Sequence, residues 1–241
     1  MKKHHRPETD EQIAAACVGV NYGTFHISGY RQGNPTMICG LGRSGTTALA
    51  TCYLRSSDGF VTDDTSIGSN LEIVGMNAAI SNRQADVLAA FREKTVEEYD
   101  PSFIFKNPAY EIVMRSSPEL RDAWHGANLI LMCRDPLVVS MREASVARDD
   151  ERCRTQHLMD AANRCAASMA GAIEASTTMG VTVVSYEKLI QFPQEIAGRL
   201  NTWMGEVRLN PSICEDAVVP NESTYIQRQT LGKMRGGNRS G

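Results

Sequence analysis

The segment TMICGLGRSGTTAL, residues 36–49, joins a short apolar run to a glycine-rich turn and the beginning of a helical pattern. The run TMICG (36–40) predicts a buried β-strand. The residues after the turn, TTALATCYLRSS (46–57), predict a helix. In a strand, turn and helix of this kind, backbone N–H groups at the helix N-terminus can bind a phosphate.

The turn itself, from Gly40 to Thr47, fits the pattern G-x-x-x-x-G-x-[ST] of a phosphate-binding loop. Its glycines permit a tight turn and a close approach to an anion. The N–H groups of Gly45, Thr46 and Thr47 are expected to point at that anion. A loop that binds a nucleoside triphosphate with Mg²⁺ has a lysine before the final Ser/Thr, but Thr46 stands there and the cation comes earlier, as Arg43. The loop is therefore predicted to hold a phosphate and is poorly suited to a triphosphate–Mg²⁺ complex.

Further apolar or β-branched runs alternate with helical patterns along the chain. The runs that predict strands are GFVT (59–62), SFIFK (102–106), NLILMC (128–133) and VTVVSY (181–186). The other segments that predict helices are 70–80, 82–100, 117–124, the residues after Pro136, 155–179 and 187–205. This alternation indicates an α/β fold with three layers, α/β/α, around a central parallel sheet. Ligands of such sheets bind at the carboxyl ends of the strands.

The folded domain is expected to span residues 36–205. Residues 1–35 are polar and contain glycines, which predicts an irregular N-terminal arm. Residues 206–241 predict a loop-like C-terminal tail.

The composition argues against several classes of partner. The formal net charge is −3 and the isoelectric point is about 6.0, so no basic field favours nucleic acid or an anionic membrane. The apolar runs are too short to span a bilayer, and the opening residues MKKHHRPETDEQ do not have the pattern of a secretory signal. The seven cysteines contain no C-x-x-C pair, which predicts buried thiols in a reducing compartment and no zinc site. We expect a cytoplasmic protein.

The loop GLGRSGTT (40–47) resembles the 5′-phosphosulfate loop of the sulfotransferases, usually G-x-P-[RK]-S-G-T-T. That family transfers a sulfuryl group from 3′-phosphoadenosine 5′-phosphosulfate (PAPS) to an acceptor hydroxyl or amine, with 3′-phosphoadenosine 5′-phosphate (PAP) as product. The resemblance is to bacterial members and to tyrosylprotein sulfotransferases. It implies that no metal is required, since a phosphosulfate carries less charge than a triphosphate, and that Arg43 contacts the sulfonate. The implied loop contacts are Gly42, Arg43, Ser44, Gly45, Thr46 and Thr47.

The stretch NLILMCRDP (128–136) is similar to the second family motif, in which an arginine after a strand binds the 3′-phosphate. That role falls on Arg134. In the family a serine follows eight residues later and shares this phosphate, but position 142 is Arg142 and the nearest serine is Ser140. Two residues correspond to about 200° of helix rotation. Either Ser140 or Arg142 is therefore expected to complete the 3′-phosphate site.

Two further stretches resemble the nucleotide-binding parts of the family. The stretch VVSYEKLIQFP (183–193) is similar to h-x-Y-E-x-L-x-x-x-P, which implies that Tyr186 lies against the adenine. The tail piece GKMRGG (232–237) resembles a shortened form of the loop that closes over the nucleotide, which implies contacts from Lys233 and Arg235.

The stretch Lys106-Asn107-Pro108 resembles the K-[TSD]-P of many family members, with the lysine near the transferred sulfonate and the bridging oxygen. A lysine there stabilises charge that develops on the leaving phosphate. Pro108 stands where the cytosolic aryl-sulfating branch has its catalytic histidine.

The proton of the acceptor therefore needs another base. In tyrosylprotein sulfotransferases and similar bacterial members, a carboxylate follows the phosphosulfate loop by about one helix and one short strand. The resemblance places that carboxylate at Asp64, with Asp63 and Glu72 as alternatives.

The resemblance predicts a PAPS-dependent sulfotransferase that acts on a small-molecule or saccharide acceptor, and the acceptor and the oligomeric state stay open. A small-molecule kinase using ATP–Mg²⁺ is an alternative, with Asp135 as its metal-binding acid, but Thr46 in place of the lysine argues against it. A non-catalytic nucleotide-binding module of the same fold is the third possibility.

Overall fold

The structure is a computed structural model that describes residues 23–42, 44–56, 59–61, 76, 79–80, 82–99, 101–108, 110, 113, 117–146 and 154–218. A six-stranded sheet has the order β1-β6-β5-β2-β4-β3. Its strands are β1 Thr24–His26, β2 Thr36–Gly40, β3 Phe60–Val61, β4 Ile104–Lys106, β5 Asn128–Cys133 and β6 Gly180–Ser185.

Strand β2 lies at the centre of the sheet, parallel to β5 on one side and β4 on the other. Strand β6 is parallel to β5, and β3 is parallel to β4. Cys39 is opposite Leu131, and Ile38 is opposite Lys106. Since parallel strands end at the same edge, the residues after β2, β4, β5 and β6 lie side by side.

Helices cover both faces of the sheet. They are α1 Thr46–Ser56, α2 Ala85–Glu98, α3 Pro118–Asp122, α4 Pro136–Val146, α5 Arg154–Ala175, α6 Tyr186–Gln191, α7 Pro193–Met204 and α8, residues 211–218. Every residue of β2 is buried, and alternate residues enter different cores because side chains alternate across a strand. Met37 joins the core that contains Trp124, whereas Ile38 joins the core of α1, α7 and α8. No helix in the part of the chain that the structure describes has the length and apolar character needed to cross a membrane.

The predicted α/β fold with a helix-covered central sheet is confirmed, and three details differ. Thr24–His26 forms strand β1, antiparallel to β6, so the predicted irregular arm is wrong for these residues and the sheet is mixed. Residues 211–218 form a helix within the predicted loop-like tail. The predicted helix over 187–205 is two helices, because Pro193 begins α7 and the residue before it, Phe192, has an extended φ of −138°. Most of the predicted helix 70–80 lies outside the described residues.

Candidate active site

The loop between β2 and α1 depends on two glycines. At Gly40 an added Cβ would lie 2.5 Å from the carbonyl oxygen of Met132 and 2.6 Å from Oγ of Ser44. At Gly45 φ is +94°, and an added Cβ would collide with the ring of Tyr186. The loop therefore packs so closely on β5 and on Tyr186 that neither position has space for a side chain.

Gly45 also begins helix α1. Its carbonyl oxygen accepts hydrogen bonds from the N–H groups of Ala48 at 3.0 Å and Leu49 at 3.3 Å. The first N–H groups of a helix have no partner within it, and the helix dipole makes this end favourable for an anion. The loop thus has the backbone geometry that a bound phosphate or phosphosulfate needs.

Ser44 adds a buried hydroxyl to this loop. The residue is 1% exposed, and its Oγ has no hydrogen-bond partner in the structure, although its N–H donates to the carbonyl of Leu41 at 3.0 Å. A buried polar atom without a partner costs about 1–3 kcal/mol, so such atoms usually have a functional explanation. A ligand oxygen in the loop is one partner that this hydroxyl could bind.

Lys106 brings a positive charge to the same loop. It is the last residue of β4 and is 1% exposed. Its Nζ donates a hydrogen bond of 2.9 Å to Oγ1 of Thr47, in the first turn of α1. In a triphosphate-binding loop this hydroxyl would bind Mg²⁺. Here the neighbouring strand supplies an ammonium group at the position that the metal would contact.

Asn107 is a site residue to which the sequence pattern assigns no role. It is completely buried, and its Oδ1 accepts the N–H of Tyr110 at 3.1 Å. Its Nδ2 has no hydrogen-bond partner in the structure. The signal available in the sequence was a polar residue directly after a predicted strand, next to Lys106.

Arg134 follows β5, and its side chain lies on Tyr186 at the start of α6. The carbon Cζ is 4.2 Å from the centroid of the ring, which is a cation–π contact. Both residues are buried, with exposures of 8% for Arg134 and 5% for Tyr186. Because Gly45 touches the same ring, Tyr186 connects the anion loop with the buried guanidinium. The contact of Tyr186 with adenine stays a prediction.

A carboxylate holds the ends of β5 and β6 together. Glu187 Oε1 lies 3.8 Å from Nε of Arg134 and accepts the N–H of Asp135 at 3.1 Å. Its other oxygen, Oε2, accepts the hydroxyl of Ser185 at 3.1 Å. Ser185 in turn caps α6 by accepting the N–H of Lys188.

The two candidates for completing the 3′-phosphate site differ in how the structure places them. Ser140 is buried in α4, and its Oγ donates to the carbonyl of Leu137 at 2.8 Å, so its hydroxyl is bonded within its own helix. The backbone of Arg142 belongs to α4, and its side chain lies outside the description. The choice between them stays a prediction.

Several other predicted site residues lie outside the described residues: Arg43, Asp63, Asp64, Glu72, Lys233 and Arg235. Their roles stay predictions. Among the described residues, no group of three or more His, Cys, Asp or Glu side chains could hold a metal ion. Burial raises the pKa of Cys133, beside Arg134, to about 12, so this thiol stays protonated at neutral pH.

No protein-family model matches the chain, and no curated protein matches its sequence. Three solved structures share its fold. The sulfotransferase domain from the Synechococcus PCC 7002 olefin synthase has a TM-score of 0.52 and 18% identity, over 76% of this chain and 78% of that one. A sulfotransferase from Alicyclobacillus acidocaldarius has a TM-score of 0.50 and 12% identity, over 74% and 85%. The sulfotransferase domain from the curacin biosynthetic pathway has a TM-score of 0.50 and 15% identity, over 76% and 77%. At these identities the comparison concerns architecture alone, and the chain has the fold of these sulfotransferase domains.

Proposed function

We propose that this protein is a sulfotransferase that moves a sulfuryl group from PAPS to a hydroxyl or amine of a small-molecule or saccharide acceptor, without a metal. The observation that carries the proposal is the hydrogen bond of 2.9 Å between Lys106 Nζ and Thr47 Oγ1. It puts a buried ammonium group beside the anion loop, at the hydroxyl that a triphosphate-binding protein uses for Mg²⁺. A 5′-phosphosulfate carries less charge than a triphosphate, so this cation, the loop amides and Arg43 are sufficient to balance it.

The second support is Arg134, whose guanidinium is buried at the end of β5. A planar guanidinium suits a phosphate, with which it can form two parallel hydrogen bonds. In the proposed complex Arg134 binds the 3′-phosphate, the group that distinguishes PAP and PAPS from ADP and ATP. The loop and Arg134 contact opposite sides of Tyr186, which sets the spacing of the two anion sites.

In the proposed reaction the acceptor oxygen or nitrogen attacks the sulfur atom in line with the leaving group. The bond between sulfur and the bridging oxygen breaks, and its electron pair stays on the phosphate of PAP. Lys106 and Arg43 stabilise the negative charge that grows there. The acceptor proton passes to a carboxylate, for which Asp64 is the first candidate and Asp63 and Glu72 are alternatives. The rate enhancement comes from alignment and charge stabilisation.

Calorimetric titration with PAP, ADP and ATP–Mg²⁺, the first two without added metal, tests the proposal. We expect PAP to bind in the absence of metal and at least about tenfold more tightly than ADP, since one charge-assisted hydrogen-bonded group is worth about 1.5–3 kcal/mol. Preference for ATP–Mg²⁺ would instead support a kinase. Binding of none of the three would support a module without nucleotide-dependent catalysis.

The variant Arg134→Ala assigns the 3′-phosphate site within this experiment. We expect it to weaken PAP binding and to leave ADP binding close to that of the wild type. Arg31→Ala is the matched control, because Arg31 is exposed and its backbone N–H bonds with Asn128 at the opposite end of the sheet. Equal loss of PAP and ADP affinity in Arg134→Ala would remove Arg134 from the 3′-phosphate site.

A further inference from the structure

Glu187 is the residue that fixes the position of the Arg134 guanidinium, and we propose that it is a positioning residue for recognition of the 3′-phosphate. The inference about the 3′-phosphate rests on the proposed function, whereas the link between Glu187 and Arg134 rests on geometry alone. No part of the sequence comparison with the sulfotransferases gave Glu187 a role.

The carboxylate of Glu187 bridges the ends of two neighbouring strands. The register of β5 and β6 brings Cys133 opposite Ser185, so the residues that follow each strand emerge side by side. Oε1 accepts the N–H of Asp135 at 3.1 Å and lies 3.8 Å from Nε of Arg134, while Oε2 accepts the Ser185 hydroxyl at 3.1 Å. One side chain thereby ties the backbone after β5 to the cap of α6.

Two contacts define the plane of the Arg134 guanidinium. The carboxylate of Glu187 approaches Nε, and the ring of Tyr186 covers a face, with Cζ 4.2 Å from its centroid. The Arg134 side chain is 6% exposed, whereas that of Glu187 is 39% exposed. An arginine side chain has about 2 kcal/mol of rotamer entropy to lose, so a guanidinium already held in one orientation binds an oxyanion with a smaller entropic cost.

A carboxylate beside a phosphate-binding arginine also has an unfavourable effect, because it repels the phosphate. Removing the charge alone should therefore leave phosphate affinity unchanged or increase it, while removing the hydrogen-bonding side chain should decrease it. Glu187→Gln keeps an oxygen for the Asp135 N–H and a polar group for Ser185. Glu187→Ala removes every contact. The comparison of these two variants separates positioning from charge.

The first measurement needs no ligand. In the ¹⁵N spectrum of the arginine side chains, the Nε–Hε signal of Arg134 is assigned by its loss in Arg134→Lys. We expect this signal to be displaced by the ring of Tyr186 and protected from exchange with water in the wild type and in Glu187→Gln. We expect both properties to be lost in Glu187→Ala. An Arg134 signal that is unchanged in Glu187→Ala would overturn the positioning role, whatever the protein binds.

The second measurement compares PAP with AMP, which differ only in the 3′-phosphate. We expect Glu187→Ala to reduce the ratio of the two affinities by about tenfold, which is 1.4 kcal/mol, with AMP affinity unchanged. Glu187→Gln should keep the ratio within about threefold of the wild type or raise it. Glu195→Ala, at an exposed glutamate in the first turn of α7, is the control. An unchanged ratio in Glu187→Ala would overturn the inference.

The two measurements separate this inference from the proposed function. If wild-type protein does not prefer PAP over AMP, the proposed function fails. Loss of the Arg134 signal in Glu187→Ala would in that case still support the positioning role. A general loss of stability in Glu187→Ala would change both affinities together and would leave their ratio unaltered, so it would not imitate the expected result.

Discussion

Lys106 and Thr47 join the end of strand β4 to the first turn of helix α1 through a hydrogen bond of 2.9 Å between an ammonium group and a hydroxyl. The contact depends on the pairing of β4 with β2, which puts Lys106 opposite Ile38, shortly before the anion loop. A buried positive charge beside a helix N-terminus is electrostatically unfavourable in the absence of an anion, because both are positive. This relationship makes predictions about both binding and stability.

Lys106→Met should weaken the binding of PAPS more than that of PAP. Methionine keeps much of the buried length of the side chain and removes the charge, and the proposed role of Lys106 is at the sulfonate and the bridging oxygen. We expect PAPS affinity to fall by about tenfold or more relative to PAP affinity, the value of a hydrogen bond to a charged group. Competition titrations with both nucleotides measure this ratio. Lys94→Met, at an exposed lysine on α2, is the control, and an equal loss for both nucleotides would remove Lys106 from the sulfonate.

The same variant should make the free protein more stable. Replacing a buried charge with an apolar group of similar size is often stabilising by about 1–4 kcal/mol, because the desolvation cost of the charge disappears. We therefore expect the Tm of ligand-free Lys106→Met to lie above that of the wild type, in agreement with the general conflict between stability and function at active sites. A lower Tm would mean that the contacts of Lys106 stabilise the fold by more than its burial costs.

Two glycines of the anion loop should respond very differently to alanine. At Gly45, φ is +94° and a Cβ would collide with the ring of Tyr186, whereas at Gly42 no atom lies within 4 Å of the added Cβ. We expect Gly45→Ala to lower the free energy of unfolding by about 1–3 kcal/mol or more, from strain and displacement of the ring. Gly42→Ala should lie within about 0.5 kcal/mol of the wild type.

Urea denaturation of both variants measures the difference. Similar free energies of unfolding for Gly42→Ala and Gly45→Ala would show that Tyr186 moves aside easily. That result would also argue against a fixed spacing between the loop and Arg134.

The anion loop and the strand-end residues could be predicted from the sequence because their signals are local. A strand, a glycine pattern and a helix are contiguous around Gly45, and Lys106 and Arg134 each stand at the end of an apolar run. The strand order of the sheet is not local information. Without it, the contact of Lys106 with Thr47 and the bridge from Glu187 to the residues after β5 could not be foreseen.

Strand β1 was not predicted for a related physical reason. It has three residues, two of which are exposed, and Phe25 is 53% exposed, so there is no buried apolar run to recognise. It forms because β6 offers an open edge, where Phe25 is opposite Val183. The buried amide of Asn107 also escaped prediction, because burial of a polar residue depends on what packs over it.

His26, at the end of β1, should make stability depend on pH. Its ring stacks on Trp203 with a centroid separation of 6.0 Å, and its Nδ1 forms a hydrogen bond of 2.8 Å with Oγ1 of Thr182. Burial, with a smaller contribution from the positive charge of Arg199, lowers the pKa of His26 below its ordinary value of 6.5. The unfolded chain therefore takes up a proton more readily than the folded protein.

The sign of this effect follows from that difference. Above pH 6.5 the imidazole is neutral in both states, and the contribution of the neutral ring is fully present. As the pH falls below 6.5 towards the lower pKa of the folded state, protonation favours the unfolded chain and stability decreases. We expect the free energy of unfolding to decrease less steeply in His26→Gln than in the wild type over this interval. Urea denaturation between pH 8 and pH 5 measures both profiles, and parallel profiles would show that His26 has the same proton affinity in the two states.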